Sequence, residues 1–175
     1  MSEPLALTRR LARLRVPLGF ASSVLVLWLA RPTWATLAAG VPIVCAGEAL
    51  RIWAAGHLEK SREVTRSGPY RWLRHPLYVG SSIMAVGLAV ASGSAAVAAL
   101  IAIYMVATVT AAIRSENAFL KASFGDDYAA WQSGAPPVVE RRFSLARARR
   151  NREHRAVLGL LAGVALLGLK AMTAW

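Results

Sequence analysis

Residues Gly68 to Gly80 read Gly-Pro-Tyr-Arg-Trp-Leu-Arg-His-Pro-Leu-Tyr-Val-Gly. This short string holds an imidazole, two phenols, two guanidinium groups and two prolines, and it joins two apolar runs. An ionisable group left unpaired in hydrocarbon is costly, and a plain linker between spans needs only a few Lys or Arg. The string therefore reads as half of a ligand site. A second polar segment, Ser115 to Trp131, follows a later apolar run. Phe119, Leu120, Phe124, Tyr128 and Trp131 recur there at helical spacings, with Lys121, Asp126 and Asp127 between them. Such a stripe is by default a helix lying along the headgroups, and Gly125 predicts a break in it. Glu116 lies one turn beyond the apolar run, where a carboxylate can accept two hydroxyl hydrogen bonds, as a ribose offers them.

Composition sets what these segments must be mounted on. The chain is 56% hydrophobic and 17% charged, with a mean hydropathy of +0.43, which argues for one membrane domain rather than a soluble one. The net charge of +12 suggests nucleic acid until its distribution is seen. The basic residues lie between apolar stretches, without interleaved aromatic platforms, so no nucleic-acid partner is expected. A lone Cys45 within an apolar run excludes a disulfide framework and a cysteine-ligated zinc site, and no metal site is expected.

The pattern predicts an all-α polytopic membrane protein of five transmembrane helices, forming a single domain over residues 1–175. The spans run about 16–30, 34–57, 77–92, 94–113 and 156–175, each near the roughly 20 residues that a crossing requires. The basic start and first apolar run read as a retained helix rather than a cleaved signal. Four Arg precede the first span, five Lys or Arg follow the second, and nine lie between the fourth and fifth. Only Arg31 and Lys170 fall on the other side, and Arg51 lies inside a span. The N-terminus and both long loops are thus expected in the cytoplasm and the C-terminus outside, in a plasma or inner membrane. Small residues of the third span (Gly80, Ser81, Ser82, Ala85, Gly87, Ala89) predict a tight hairpin with the fourth. Glu48 and Arg51 stand at i, i+3 and are expected to pair, as a structural ion pair or as a pocket wall. His57 closes the second span beside the motif, as an interfacial residue or part of the site. Arg141 to Arg155, with seven Arg against one Glu, reads as a juxtamembrane segment attracted to anionic headgroups.

The two polar blocks together resemble the isoprenylcysteine carboxyl methyltransferase and phospholipid methyltransferase family of integral-membrane enzymes. The first block is Gly68-Pro69-Tyr70 and Arg74-His75-Pro76-Leu77-Tyr78-Val79-Gly80. The second is Glu116, Leu120, Phe124-Gly125, Tyr128 and Trp131. The resemblance covers about residues 51–131 and implies S-adenosylmethionine bound in a cytoplasmic-side pocket. Tyr70, His75, Pro76, Leu77, Tyr78, Gly80 and Glu116 match its cofactor-binding positions. His57 matches a polar residue closing the preceding helix, and Val64 falls in a loop that borders the cofactor. Two departures stand out: Asn117 where many members carry a second acid, and Ala112 where prenylcysteine enzymes carry a substrate-gripping Arg.

Methyl transfer from a sulfonium is an in-line displacement whose leaving group needs no proton, so catalysis can rest on positioning and water exclusion. Arg74, Arg114 and Arg71 are the candidates to grip an acceptor carboxylate or phosphate bidentately, Arg74 and Arg114 foremost. The expected reaction is S-adenosylmethionine-dependent methyl transfer to a lipophilic acceptor entering from the bilayer, foremost the carboxylate of an isoprenyl-bearing substrate. The alternatives are a phospholipid or other small-lipid methyltransferase, an NADPH-dependent membrane reductase of the sterol-reductase type, and a non-catalytic membrane scaffold.

Overall fold

Local signals in the chain set where each helix begins and ends. In the computed structural model, which describes residues 24–134 and 140–173, a helical stretch at 24–29 (α1) precedes a corner at Pro32. Thr33 then caps α2 (Trp34–Ala55) in a reciprocal box with Thr36, satisfying amide groups that a helix start leaves open. A 3₁₀ turn, Gly68–Arg71, leads to α3 (Pro76–Ala91), which proline opens. Ser94 caps α4 (Ala95–Gln132), and α5 (Leu145–Arg150) and α6 (Glu153–Met172) complete the order. The described residues contain no strand, as expected of an all-α chain.

Three of these helices, α2, α4 and α6, are long and apolar enough to cross a membrane, not five. The third expected span is only the 16-residue α3, about 24 Å at 1.5 Å per residue against a hydrocarbon core of about 30 Å. Proline starts it and the Gly93 turn stops it. The first expected span, 16–30, falls largely outside the described residues. The exterior is apolar, with Trp28, Ile103, Val106, Leu158 and Leu169 all exposed, as the lipid-facing sides of membrane helices are. Together with the helices' length, this makes the chain an integral membrane protein.

Gly80, Ser81 and Gly87 of α3 turn to α2, contrary to the expected tight α3–α4 hairpin. A Cβ at Gly87 would sit 2.6 Å from the Val44 backbone nitrogen, and one at Gly47 would sit 2.6 Å from the Gly80 carbonyl oxygen. Backbone touches backbone, which is how helices associate where lipid is as apolar as the side chains. Gly87→Val is accordingly expected to destabilise the helix pair by at least about 1–3 kcal/mol, the usual cost of overpacking. The check is the thermal midpoint in detergent; an unchanged midpoint would contradict the close approach.

With α3 committed to α2, α4 stands off from it. α4 is 38 residues long, and about 20 residues suffice to cross hydrocarbon, so its last turns project beyond the bilayer. Gly125 breaks it as expected, at φ 31 and ψ −99. The segment after the break folds over the motif loop. Tyr128 is buried there, and Trp131 packs edge-on against His75 with ring centroids 6.2 Å apart.

Candidate functional site

Proline at position 76 is what frees His75. A residue before proline is pushed out of the helical region, so His75 sits at φ −133, ψ 64 as the residue preceding α3. Its ring faces α4, with Nδ1 3.5 Å from Glu116 Oε2. The Tyr78 hydroxyl, one turn into α3, also donates to Glu116. Glu116 therefore has two partners within the chain, where the sequence alone suggested an open carboxylate. A carboxylate offers about four acceptor positions, so it keeps capacity for a ligand.

These groups line a cavity of about 630 Å³ whose walls include Tyr70, Arg74, His75, Pro76, Leu77, Tyr78 and Glu116. Phe119, Leu120 and Trp131 from the far part of α4 close one side, and Lys60, Ser61, Glu63 and Thr65 close another. The Tyr70 hydroxyl oxygen is buried and makes no hydrogen bond among the described residues. Burial first, then the charges of Glu116 and Glu153, push its phenol well above the ordinary tyrosine range. It is thus a protonated donor at any working pH, without a partner of its own.

A second, apolar groove of about 550 Å³ runs between α3 and α4. Val79, Ser82, Ile83 and Val86 line one side and Val109 and Ile113 the other, at the i, i+3, i+4 spacings of helix faces. Arg74, His75 and Tyr78 belong to both spaces. Arg74 lies 5.7 Å from the Trp131 ring centroid and 3.4 Å from the Gln132 carbonyl.

Four expected site residues stand apart from both spaces. His57 is buried behind the motif, with Nδ1 3.0 Å from the Trp53 carbonyl and its ring against Phe143 and Gly68. Gly80 is a helix contact, a Cβ there falling 2.7 Å from the Gly47 carbonyl. Val64 is outside the cavity wall, and Arg114 is exposed on α4. Ala112 lies in the wall, at the position of the missing arginine. Asn117 has a buried, unpartnered side-chain oxygen.

The loop forming the cavity's outer wall is held by residues that sequence reasoning assigned to lipid. Arg141 grips Glu63 bidentately at 2.8 and 2.7 Å. Arg147 and Arg150 share Glu59 at 2.8 and 3.0 Å. Arg147 also donates to the Gly56 carbonyl at 2.6 Å, and Asn151 to those of Ala55 and Leu58. The Ala55 and Gly56 carbonyls are ones that the end of α2 leaves open. Farther in, the expected Glu48–Arg51 pair forms at 3.6 Å, and Arg51 also reaches Glu153 at 2.7 Å and the Ser81 hydroxyl.

The clamp has a pH signature. Burial works to raise the Glu59 carboxyl, but the Arg147 hydrogen bond and the charges of Arg150, Arg147 and Arg141 outweigh it and hold the group below 4.5. Its contribution to stability is therefore complete above pH 4.5 and is lost as pH falls through the lower folded-state value. Between pH 7 and pH 4 the thermal midpoint should fall further in the wild type than in Glu59→Gln. Equal falls would contradict the clamp.

The phospholipid methyltransferase family profile matches residues 18–127, more than half of the chain. The nickel-cobalt-cadmium resistance protein NccN of Alcaligenes xylosoxydans xylosoxydans is 38% identical over 104 residues, covering 55% of this chain and 49% of that protein. The cobalt-zinc-cadmium resistance protein CzcN of Cupriavidus metallidurans is 36% identical over 87 residues, covering 49% of this chain and 39% of that protein. The chain thus spans half or less of the length of these curated relatives. No solved structure matches it. Among the described residues, no three His, Cys, Asp or Glu side chains group to hold a metal ion. The matched region takes in the first polar block, the second as far as Gly125 and the helices that join them, and the chain belongs to the phospholipid methyltransferase family.

Proposed function

We propose that this chain transfers a methyl group from S-adenosylmethionine to a lipophilic acceptor drawn from the bilayer. The observation that carries the reading is the junction at Arg74, His75 and Tyr78 between a polar-walled cavity and an apolar groove. Members of this family generally use S-adenosylmethionine, and the cavity's walls suit it. Its volume, about 630 Å³, lies within the roughly 300–1,000 Å³ of small-molecule sites. Glu116 has acceptor capacity for ribose hydroxyls, and the unpartnered Tyr70 hydroxyl is a donor awaiting an acceptor. Phe119 and Trp131 offer faces for a purine, and the Tyr78 ring suits a sulfonium, since cations are attracted to aromatic faces.

When bound, that group supplies an electrophilic methyl carbon. The chain's own residues supply position. The groove presents an acceptor's apolar part to α3 and α4 while its polar end meets the His75–Tyr78 junction. Closing the cavity with Trp131 and Leu120 excludes water, which would otherwise compete for the methyl group. The prenyl chain of an isoprenyl carboxylate, as expected from the sequence, and the acyl chain of a phospholipid both suit such a groove.

Titration of the purified protein with S-adenosylhomocysteine tests the cofactor half of the reading. Saturable binding in the micromolar range is expected, with no thermal shift from NADPH. Absence of binding at millimolar ligand, in protein that melts cooperatively, would overturn it.

A further inference from the structure

We infer that the outward face of the 141–155 segment is a docking surface for the phosphates of anionic lipid. Lipid seated there steadies the outer wall of the cavity, whatever the cavity binds. The segment's seven arginines divide into two sets. Arg141, Arg147 and Arg150 are committed inward, to Glu63 and Glu59. Arg142, Arg149, Arg152 and Arg155 are exposed and make no ion pair among the described residues. Three of these four form one corner. The Arg152 N–H donates to the Arg149 carbonyl at 2.9 Å, and the Arg155 N–H to the Arg152 carbonyl at 3.0 Å. Arg152 itself turns that corner at φ 64, so the chain carries a guanidinium where glycine would meet no steric cost.

The helix that leaves the corner places it at a bilayer surface. α6 begins at Glu153 and is long and apolar enough to cross, so Arg152 and Arg155 bracket the start of a span. Exposed apolar side chains accompany the charge. Phe143 and Leu145 are exposed on the same segment. The Phe143 ring lies 6.2 Å from His57, which leads through Trp53 to the exposed Trp72. Tryptophan gathers at headgroup level, and Arg stems lie along apolar surface while the guanidinium stays in the polar layer. A soluble polyanion would match the charge and leave Phe143, Leu145 and Trp72 in water. The same backbone carries the effect inward. Arg147 and Arg150 share the six-residue α5 with Arg149 and hold Glu59, and Arg141 adjoins Arg142 and holds Glu63. Headgroups that fix Arg142 and Arg149 therefore restrain the loop whose Lys60, Ser61, Glu63 and Thr65 wall the cavity.

Nanodiscs of phosphatidylcholine, with and without phosphatidylglycerol, test both parts on the full chain. Native mass spectrometry of protein released from the mixed discs should show phosphatidylglycerol retained in preference to phosphatidylcholine. High salt should reduce that retention, because it screens exposed charges. Hydrogen exchange at amides 59–66 should be several-fold slower in the mixed discs than in phosphatidylcholine alone. The variant combining Arg142→Gln, Arg149→Gln and Arg155→Gln leaves every contact to Glu59 and Glu63 in place. It should retain at least about tenfold less phosphatidylglycerol, since each basic residue near an anionic surface contributes about fivefold in affinity. It should also lose the lipid effect on exchange, whereas lysine at the same three positions should keep most of both. Equal retention by wild type and the Gln variant would overturn the docking surface. So would retention by the wild type that salt leaves unchanged, a result that does not depend on how the variant folds. Loss of retention without any change in exchange at 59–66 would refute the link to the cavity wall. If soluble polyphosphate slows exchange equally in phosphatidylcholine discs, the partner is not the membrane.

Discussion

Glu116→Gln is expected to weaken S-adenosylhomocysteine binding by about ten- to 150-fold. Hydrogen bonds to a charged group contribute roughly 1.5–3 kcal/mol, and each 1.4 kcal/mol is about tenfold in affinity. The carboxamide keeps the shape of the side chain, so a loss reports charge and acceptor capacity rather than packing. The structure adds a reason to expect the upper part of that range. Glu116 also receives the Tyr78 hydroxyl and faces the His75 ring, so the substitution disturbs three wall groups at once. Isothermal titration of variant and wild type checks this. Equal affinities would show that Glu116 is a helix-surface acid, since exposed substitutions usually stay within about 0.5 kcal/mol.

Val86→Trp is expected to abolish most methyl transfer while leaving cofactor binding intact. Val86 is 57% exposed and lines the apolar groove at a distance from the polar cavity. An indole there fills the space between α3 and α4 where the acceptor's apolar part is proposed to lie. Displacing a reacting group by about 1 Å can cost on the order of 100-fold in rate. The side chain projects from the helix pair without entering the α2–α3 contact, so the fold should tolerate it. The measurements are methyl incorporation into lipid and S-adenosylhomocysteine affinity on the same preparation. Incorporation unchanged by the indole would remove the groove from the account.

The wall chemistry of the cavity was legible in the sequence because it rests on local rules. Proline after His75 fixes the helix start and so the ring's position, and glycine at 125 marks the break that brings Trp131 over the motif. The Glu48–Arg51 pair follows equally from spacing along one helix. What was not legible depends on partners distant in the chain. A stripe of small residues on α3 says that a helix packs there, but not whether it is α2 or α4, and the answer decides where the groove opens. The arginines at 141, 147 and 150 have the composition of a headgroup-binding segment. Their partners, Glu59 and Glu63, lie 78 to 91 residues earlier, and no periodicity joins the two. The span count missed for a related reason. Hydropathy marks α3 as a membrane helix, whereas its length is set by the proline before it and the turn after it.

The clamp has a consequence for the site itself. Glu63 lines the cavity and Glu59 anchors the loop that carries Lys60 and Ser61. Releasing the basic segment would therefore loosen one wall of the cavity while leaving the α3–α4 junction in place. In Glu59→Gln, trypsin should cut after Arg147 and Arg150 several times faster than in the wild type. Bound S-adenosylhomocysteine should slow that cleavage if the loop contacts the ligand.

The central claim is that this chain moves a methyl group from S-adenosylmethionine onto a component of the bilayer. Its most direct test is incorporation of isotope-labelled methyl from S-adenosylmethionine into lipid extracted from membranes holding the wild-type protein or Glu116→Gln. The account predicts a labelled, organic-soluble product with the wild type and at least about tenfold less with the variant at subsaturating cofactor. Lipid extracts without label from membranes containing folded wild-type protein, or equal label from both proteins, would contradict it.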